Sequence, residues 1–397
     1  MDIKGLEKLL EQLDQFVTNS SFKGYDPYDF KDWIYKKKLT KGFGVYNGHH
    51  FLEYAETIFP LTLRSAFNIQ PQHNAKAYGL LFASYLNIFK ASGNTHYLRQ
   101  ANFCKEWLLN NRSAEYRGLS WGYPFDWKNT DYLITKNTPS SVVTAIVGDA
   151  FWKDFLFNGQ KDSLEVCEKI CQFFITELNQ DEISSNAICF SYTPIDNLHV
   201  HNANLFVAEF LIKIGKETKN EHYVELGKKA TNYTISEQNQ DGSIYYWGIK
   251  QNHALSKHLD HYHSGYEIRT LDSIANLTGI QEYKTAFEKY HQFYLSSFFT
   301  KENFPKYSPS SLYPINIHSC AESILMMTTV GVFEPKKVSD LVDSINNKMF
   351  SKKGWYIYTI RKLGFFKIKT RIPYLRWGQA WMMRSLSEYY LKLSTIK

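Results

Sequence analysis

Histidines in this sequence cluster just ahead of apolar runs rich in small residues. His73 precedes NAKAYGLLFASYLNIFK, His201 opens HNANLFVAEFLIKIG, His263 opens HSGYEIRTLDSIANLTG and His318 opens HSCAESILMMTTVG. Ser140 and Arg376 hold the same place in two further runs. Imidazole moves protons near neutral pH, and a neighbouring tyrosine can act as a second acid or base. Tyr262 beside His263, and Tyr313 ahead of His318, supply that partner. The chemistry this points to is removal of the proton α to the carboxylate of a uronate. His263 or His201 would be the base, Tyr262 its partner, and Arg376 or Arg64 would neutralise the forming enolate. The product would be that of a lyase or a C5-epimerase. Asp126, Asp196, Asp260, Glu267 and Glu322 lie in the same stretches and offer an alternative. A carboxylate pair, Asp126 with Asp260, would cleave a glycosidic bond. A third reading is a protein that binds a glycan without acting on it.

Aromatic residues accompany these groups. RGLSWGYPFDWKNT places Trp121 and Trp127 on either side of Asp126, and Trp377 follows Arg376. Rings stack on the C–H faces of sugars while polar side chains bond the hydroxyls. His73, Asn202, His318, Glu322 and Tyr313 are the polar contacts expected for a saccharide. His199 with His201, and His261 with His263, are spaced two apart, which a zinc ion can use. No HExxH or Cys/His finger spacing accompanies them, so no metal is expected. With no P-loop and no GxGxxG ahead of a helix, no nucleotide cofactor is expected either.

The elements that would position these groups repeat. From His73 through Ser140, His201, His263 and His318 to Arg376 the spacings are 67, 61, 62, 55 and 58 residues, a period typical of a repeat architecture. Each anchor opens a run with apolar residues at i, i+3, i+4 and i+7, such as Leu205, Ala208, Leu211 and Ile212. That run is apolar almost all round, as a helix buried on both sides must be. A short turn and a more polar amphipathic run follow, then a Gly/aromatic loop such as QNQDGSIYYWG. The unit is therefore a helical hairpin with an inner and an outer helix. Five hairpins are complete, and the sixth inner helix, 376–394, lacks a partner. The amphipathic segment 2–18 is expected to take that place. Ring closure gives an all-α fold, an (α/α)6 toroid, as one domain over 1–397, with an irregular rim at 21–62. An open solenoid is the alternative.

Net charge is +7, from 46 Lys/Arg against 39 Asp/Glu. Segment 351–376 holds eight Lys/Arg and no acid, so the remaining residues carry 38 − 39 = −1. Its alternation predicts a basic β-hairpin, with Trp355, Ile357 and Thr359 facing Phe366, Ile368 and Thr370 around Leu363-Gly364. An anionic polymer or an anionic membrane surface would suit it. Nucleic acid is not expected, since no helix-turn-helix, zinc-finger or RNP pattern is present. Five cysteines without framework spacing, no membrane-length apolar run and no apolar leader predict a reduced, cytoplasmic protein.

The whole chain resembles the (α/α)6-toroid carbohydrate-active proteins, which include glycoside hydrolases, polysaccharide lyases and the helical domain of glucuronyl C5-epimerases. DHYHSGYEIRTLDSIANLTG at 260–279 is similar to the epimerases' Tyr-His segment, which implies roles for Tyr262 and His263. QNQDGSIYYW at 238–247 resembles the Gln-Asp-Gly-Trp repeat of triterpene cyclases, but the clustered aspartates of that chemistry are absent. SWGYPFDW and YLRWGQAWMM resemble toroid proteins encoded with bacterial surface-polysaccharide enzymes. The resemblance implies an oligo- or polysaccharide substrate in bacterial surface-polysaccharide metabolism, and the arginines above point to an anionic one.

Overall fold

A computed structural model describes residues 1–36, 54–128, 132–159, 161–250 and 257–396. The inner helices are α4 (Ala75–Ser92), α6 (Ser141–Asn158), α8 (His201–Thr218), α10 (His261–Thr278), α12 (Ile317–Thr329) and α14 (Ala380–Ser394). Four of them start on a side-chain cap. Asn74, Ser140, Asp260 and Asn316 each accept a backbone N–H from the first turn, which satisfies a donor the helix itself leaves unpaired. Three end on a glycine in the left-handed region, Gly93, Gly159 and Gly279, with φ of 69°, 64° and 69°. There a side chain would be strained. Residues 75–88 of α4 are all buried, as expected for a helix with neighbours on both sides.

Each inner helix packs on the next, and α14 packs back on α4, so the ring is closed. The outer helices α5 (Thr95–Asn110), α7 (Lys161–Glu177), α9 (Glu221–Ser236), α11 (Gln281–Ser297) and α13 (Pro335–Met349) each cover the inner helix before them. The sixth outer place belongs to α1 (Ile3–Asn19), which lies against α14. Leu6, Leu9, Leu10, Leu13 and Val17 form its buried stripe, each worth about 1.5–3 kcal/mol on burial. Polar contacts fix its register: Tyr390 donates to Glu7 at 2.6 Å, and Tyr85 to Asp14 at 2.9 Å. The chain is an (α/α)6 toroid, and one apolar cluster runs from Leu6 to Tyr390.

Short sheets decorate the ring. β1 (Trp127–Lys128) pairs with β2 (Leu133–Ile134), and β3 (Gln180–Ser184) with β4 (Ala187–Phe190). The basic hairpin is present as β6 (Thr359–Leu363) and β7 (Phe366–Thr370). It starts four residues later than the alternation suggested, because Trp355 and Ile357 lie in the loop ahead of it. A third strand, β5 (Ile315–Asn316), joins β6 through Ile315↔Ile360 and Asn316↔Thr359. Asn316 also caps α12, so the hairpin is tied to an inner-helix start. Arg376 opens not the α-helix but one π-helical turn, Leu375–Gln379, ahead of α14. In the rim, Asp29–Lys36 (α2) and Pro60–Ala66 (α3) are helical, whereas the GFGVYNGHH stretch at 42–50 lies outside the described residues. All five cysteines are buried and unpaired. Among the described residues, no helix is long and apolar enough to cross a membrane.

Candidate functional site

The helix starts converge on one mouth of the ring. Counting two residues in from each cap gives Lys76, Val142, Asn202, Tyr262, His318 and Arg376, spaced by 66, 60, 60, 56 and 58 residues. All six line a single cavity of about 230 Å³. The loops between hairpins roof it with aromatic rings, among them Trp127, Tyr246 and Trp247, and Tyr28 from the rim. Among the described residues, no Asp or Glu lines it.

Two carboxylates stand behind the wall instead. Asp260 caps α10 by accepting the backbone N–H of His263 at 3.0 Å. Its other oxygen lies 2.6 Å from His263 Nδ1 and 2.7 Å from His258 Nε2. Burial opposes ionisation of Asp260, but the two imidazoles outweigh it and hold the carboxyl well below the usual range. The proton on His263 is thereby placed on Nδ1, and Nε2 is the nitrogen left for a ligand. Asp26 takes Arg376 through two bonds, Nε at 2.5 Å and Nη2 at 2.7 Å. The guanidinium also packs on the Tyr123 and Trp377 rings at 4.8 and 4.7 Å.

Basic side chains line the floor. Lys76 is 4 % exposed, and among the described residues its amine has no carboxylate partner. It sits 5.6 Å from the Trp381 ring centre. Burial, with Arg376 close by, lowers its pKa well below the ordinary lysine value. His318 is lowered too, by burial and by the charges of Lys76, His263 and Arg376. Its ring stacks on Tyr262 at 4.5 Å, its Nε2 meets the Tyr266 hydroxyl, and its Nδ1 has no partner. Asn202 Oδ1 is likewise buried without a hydrogen bond. Such unmet groups are costly, and both belong to cavity-lining residues.

Of the residues singled out from sequence, Tyr262, His263, His318, Asn202, Arg376, Trp127 and Trp377 meet at this cavity. Others do not. His201 is one residue from Asn202, and that 100° of helix rotation turns it outward, to Glu237 at 2.9 Å and Thr234 at 3.3 Å. His73 bonds the Tyr78 hydroxyl at 2.9 Å. Trp121 is fully buried and donates to Leu108 O at 2.8 Å, so no face is left for a sugar. Arg64 is fully buried among Asp29, Glu56 and Tyr374. Glu322 holds Arg269 at 2.5 and 3.1 Å. Asp126 accepts from Lys136 N at 2.7 Å, and Tyr313 lies off the cavity. Asp196 organises its own loop through Tyr192 N, Thr193 N and Leu198 N. Glu267 bonds Tyr290 at 2.6 Å, and burial raises its pKa well above the carboxylate range. Lys76, Tyr246 and Tyr266 were not singled out; counting from the helix caps finds Lys76.

The histidine pairs weighed for zinc are otherwise engaged. His261 bonds Tyr294 and Ser323, and His199 bonds Tyr233 and Asp181. His258, Asp260 and His263 do bring three potential ligand atoms within 4.8 Å of one another. Ligands on one tetrahedral zinc lie about 3.3 Å apart, from bonds of about 2.0–2.1 Å. The 2.6 and 2.7 Å contacts are instead those of hydrogen bonds.

No protein-family model and no curated protein matches the sequence. Solved structures are similar in shape. A possible member of the GH105 family from Salmonella enterica has a TM-score of 0.61 at 11 % identity, over 98 % of this chain and 94 % of its own. The cellobiose 2-epimerase of Bacillus thermoamylovorans has 0.60 at 13 %, over 83 % and 90 %. The GH76 α-mannanase of Bacteroides thetaiotaomicron has 0.57 at 11 %, over 82 % and 88 %. The chain shares the fold of these enzymes. All are carbohydrate-active α/α toroids, with epimerases and hydrolases alike built on one ring.

Proposed function

We propose that the chain is an enzyme that acts on an anionic, uronate-containing saccharide by proton transfer. The observation that carries this is the make-up of the cavity: a floor of Lys76, Arg376 and His318 under aromatic walls, with no carboxylate among the described lining residues. A glycosidase of the usual kind needs two carboxyl groups flanking the bond. Asp260, tied to two imidazoles, and Asp126, bonded to a loop N–H, do not offer that pair. Proton transfer needs less. His263, held by Asp260, would take the proton α to the carboxylate on its Nε2. Lys76 and Arg376 would face the carboxylate and stabilise the charge that builds on it. Tyr262, stacked against His318, would return a proton or assist the leaving oxygen. Return of a proton gives a C5-epimer, and loss of the leaving group gives an unsaturated product. The names of the cellobiose epimerase and a D-mannose isomerase among the structural neighbours support a sugar as the substrate. On this reading the setting is bacterial surface-polysaccharide metabolism. Incubating the protein with uronate saccharides in heavy water tests it: deuterium at C5 or an unsaturated uronate supports proton abstraction, and neither contradicts it.

A further inference from the structure

The basic hairpin is not used by this site, and its tip is bare. Leu363 is 58 % exposed, Phe365 101 % and Phe366 76 %. Leu363 and Phe366 are the last cross-strand pair, and Gly364-Phe365 is the turn between them. Three large apolar side chains thus stand together at the end of a protruding ribbon. Arg361, Lys362, Lys367, Lys369 and Arg371 surround them, and no acid occurs in 351–376. Lys362 lies directly opposite Lys367, a placement that weakens a ladder through repulsion. Lys369 reaches only a backbone carbonyl, that of Lys348 at 3.4 Å. Among the described residues, none of the five cations meets a carboxylate. In water alone, both the bare rings and the facing lysines are unfavourable. A partner with an anionic surface above an apolar interior relieves both.

We propose that this hairpin docks the protein on an anionic lipid bilayer. Phe365, Phe366 and Leu363 enter the headgroup–acyl boundary, and the flanking cations meet the lipid phosphates. An anionic glycan would meet the cations and could stack on a ring face, but it has no apolar interior to take Leu363, Phe365 and Phe366 together, so the lipid surface fits better. The hairpin also stands at the rim of the site. β5 links it to the cap of the helix that carries His318, and Arg361 lines a groove with the exposed Tyr54. Docking therefore sets the mouth of the cavity beside the membrane, where a membrane-tethered saccharide would be presented.

The test is co-sedimentation of the full chain with vesicles of phosphatidylcholine alone or mixed with phosphatidylglycerol. Binding is expected only to the mixed vesicles, and weaker at high salt. Phe365→Ser with Phe366→Ser is expected to weaken it by about a hundredfold, about tenfold for each ring removed from the interface. Lys362→Gln with Lys367→Gln is expected to weaken it by about twenty-fivefold, about fivefold for each charge. These positions are exposed, so unchanged thermal unfolding of the variants shows that the fold is intact. No binding to mixed vesicles, or undiminished binding by the serine variant, overturns the proposal. So does lysine-dependent, phenylalanine-independent binding to soluble polygalacturonate, which would assign the hairpin to a glycan.

Discussion

Replacing His201 and Asn202 by alanine, one at a time, separates a residue that holds the ring from one that faces the cavity. His201 is 1 % exposed. It bonds Glu237 at 2.9 Å and Thr234 at 3.3 Å, and its ring lies 5.3 Å from that of Tyr233. A bond to a charged group contributes about 1.5–3 kcal/mol, and the emptied space adds to the loss. Glu237 keeps a second donor, Ile249 N at 2.9 Å, which limits the damage. His201→Ala should therefore cost about 3 kcal/mol. Unfolding entropy of about 2 cal/mol/K per residue gives about 0.8 kcal/mol/K for a chain of this size, so Tm should fall by about 4 °C. Asn202 Oδ1 bonds nothing, so Asn202→Ala should shift Tm by about 1 °C or less. It should instead lower kcat/KM on a uronate saccharide by about tenfold, the worth of one lost hydrogen bond. Calorimetry of unfolding and an NMR turnover assay measure the two. The reverse pattern, with His201→Ala inactive yet stable and Asn202→Ala fully active, would refute this assignment of the site.

Four further outcomes follow from the same geometry. Asp260→Asn keeps a side chain able to cap α10 but loses the carboxylate that orients His263; turnover should fall by about 10²–10⁴-fold, and a fall of less than tenfold would contradict the role. Lys76→Met should weaken binding of an anionic saccharide by at least about tenfold while stabilising the empty protein, which no longer buries an unpaired amine. Because burial depresses the Lys76 pKa and a bound anion raises it, the wild type should take up protons on binding over a pH range below the ordinary lysine pKa. Calorimetry in buffers of different ionisation enthalpy reads this, and identical heats would contradict it. Acid should unfold the ring through its depressed carboxyls. Burial opposes ionisation of Asp260 and Glu388, but two imidazoles at the first, and Lys153 and Arg384 at the second, outweigh it. Their stabilisation is present above the unfolded carboxylate pKa of about 4 and is lost as pH falls below it. Urea midpoints between pH 6 and 3 should drop, and Glu388→Gln should flatten the drop.

The ring was legible because its cause is periodic. Inner helices such as 201–218 are apolar almost all round, outer ones on one side, and the leucines of 3–19 form a single buried stripe. The site was legible only to within a residue. Aligning on histidine put His201 and His263 at one level, whereas the caps put Asn202 and Tyr262 there. Val200 caps α8 without a side-chain bond, so that helix start leaves no polar mark to count from. Lys76 was hidden for another reason: a lysine reads as surface until the ring shows that its helix has none. Trp121 and Arg64 have the chemistry of sugar contacts but are spent on Leu108 O and on Asp29. The strands at 180–190 come from a loop whose alternation is too short to stand out from its neighbours.

Proton abstraction is assigned to a cavity with basic side chains on its floor and His263 in its wall. NMR of uronate-containing and neutral glycans incubated with the protein in heavy water tests it most directly. Deuterium at C5, or a new unsaturated uronate signal, is expected, and Asp260→Asn should abolish it. New reducing ends without exchange would contradict proton abstraction and assign the chemistry to hydrolysis.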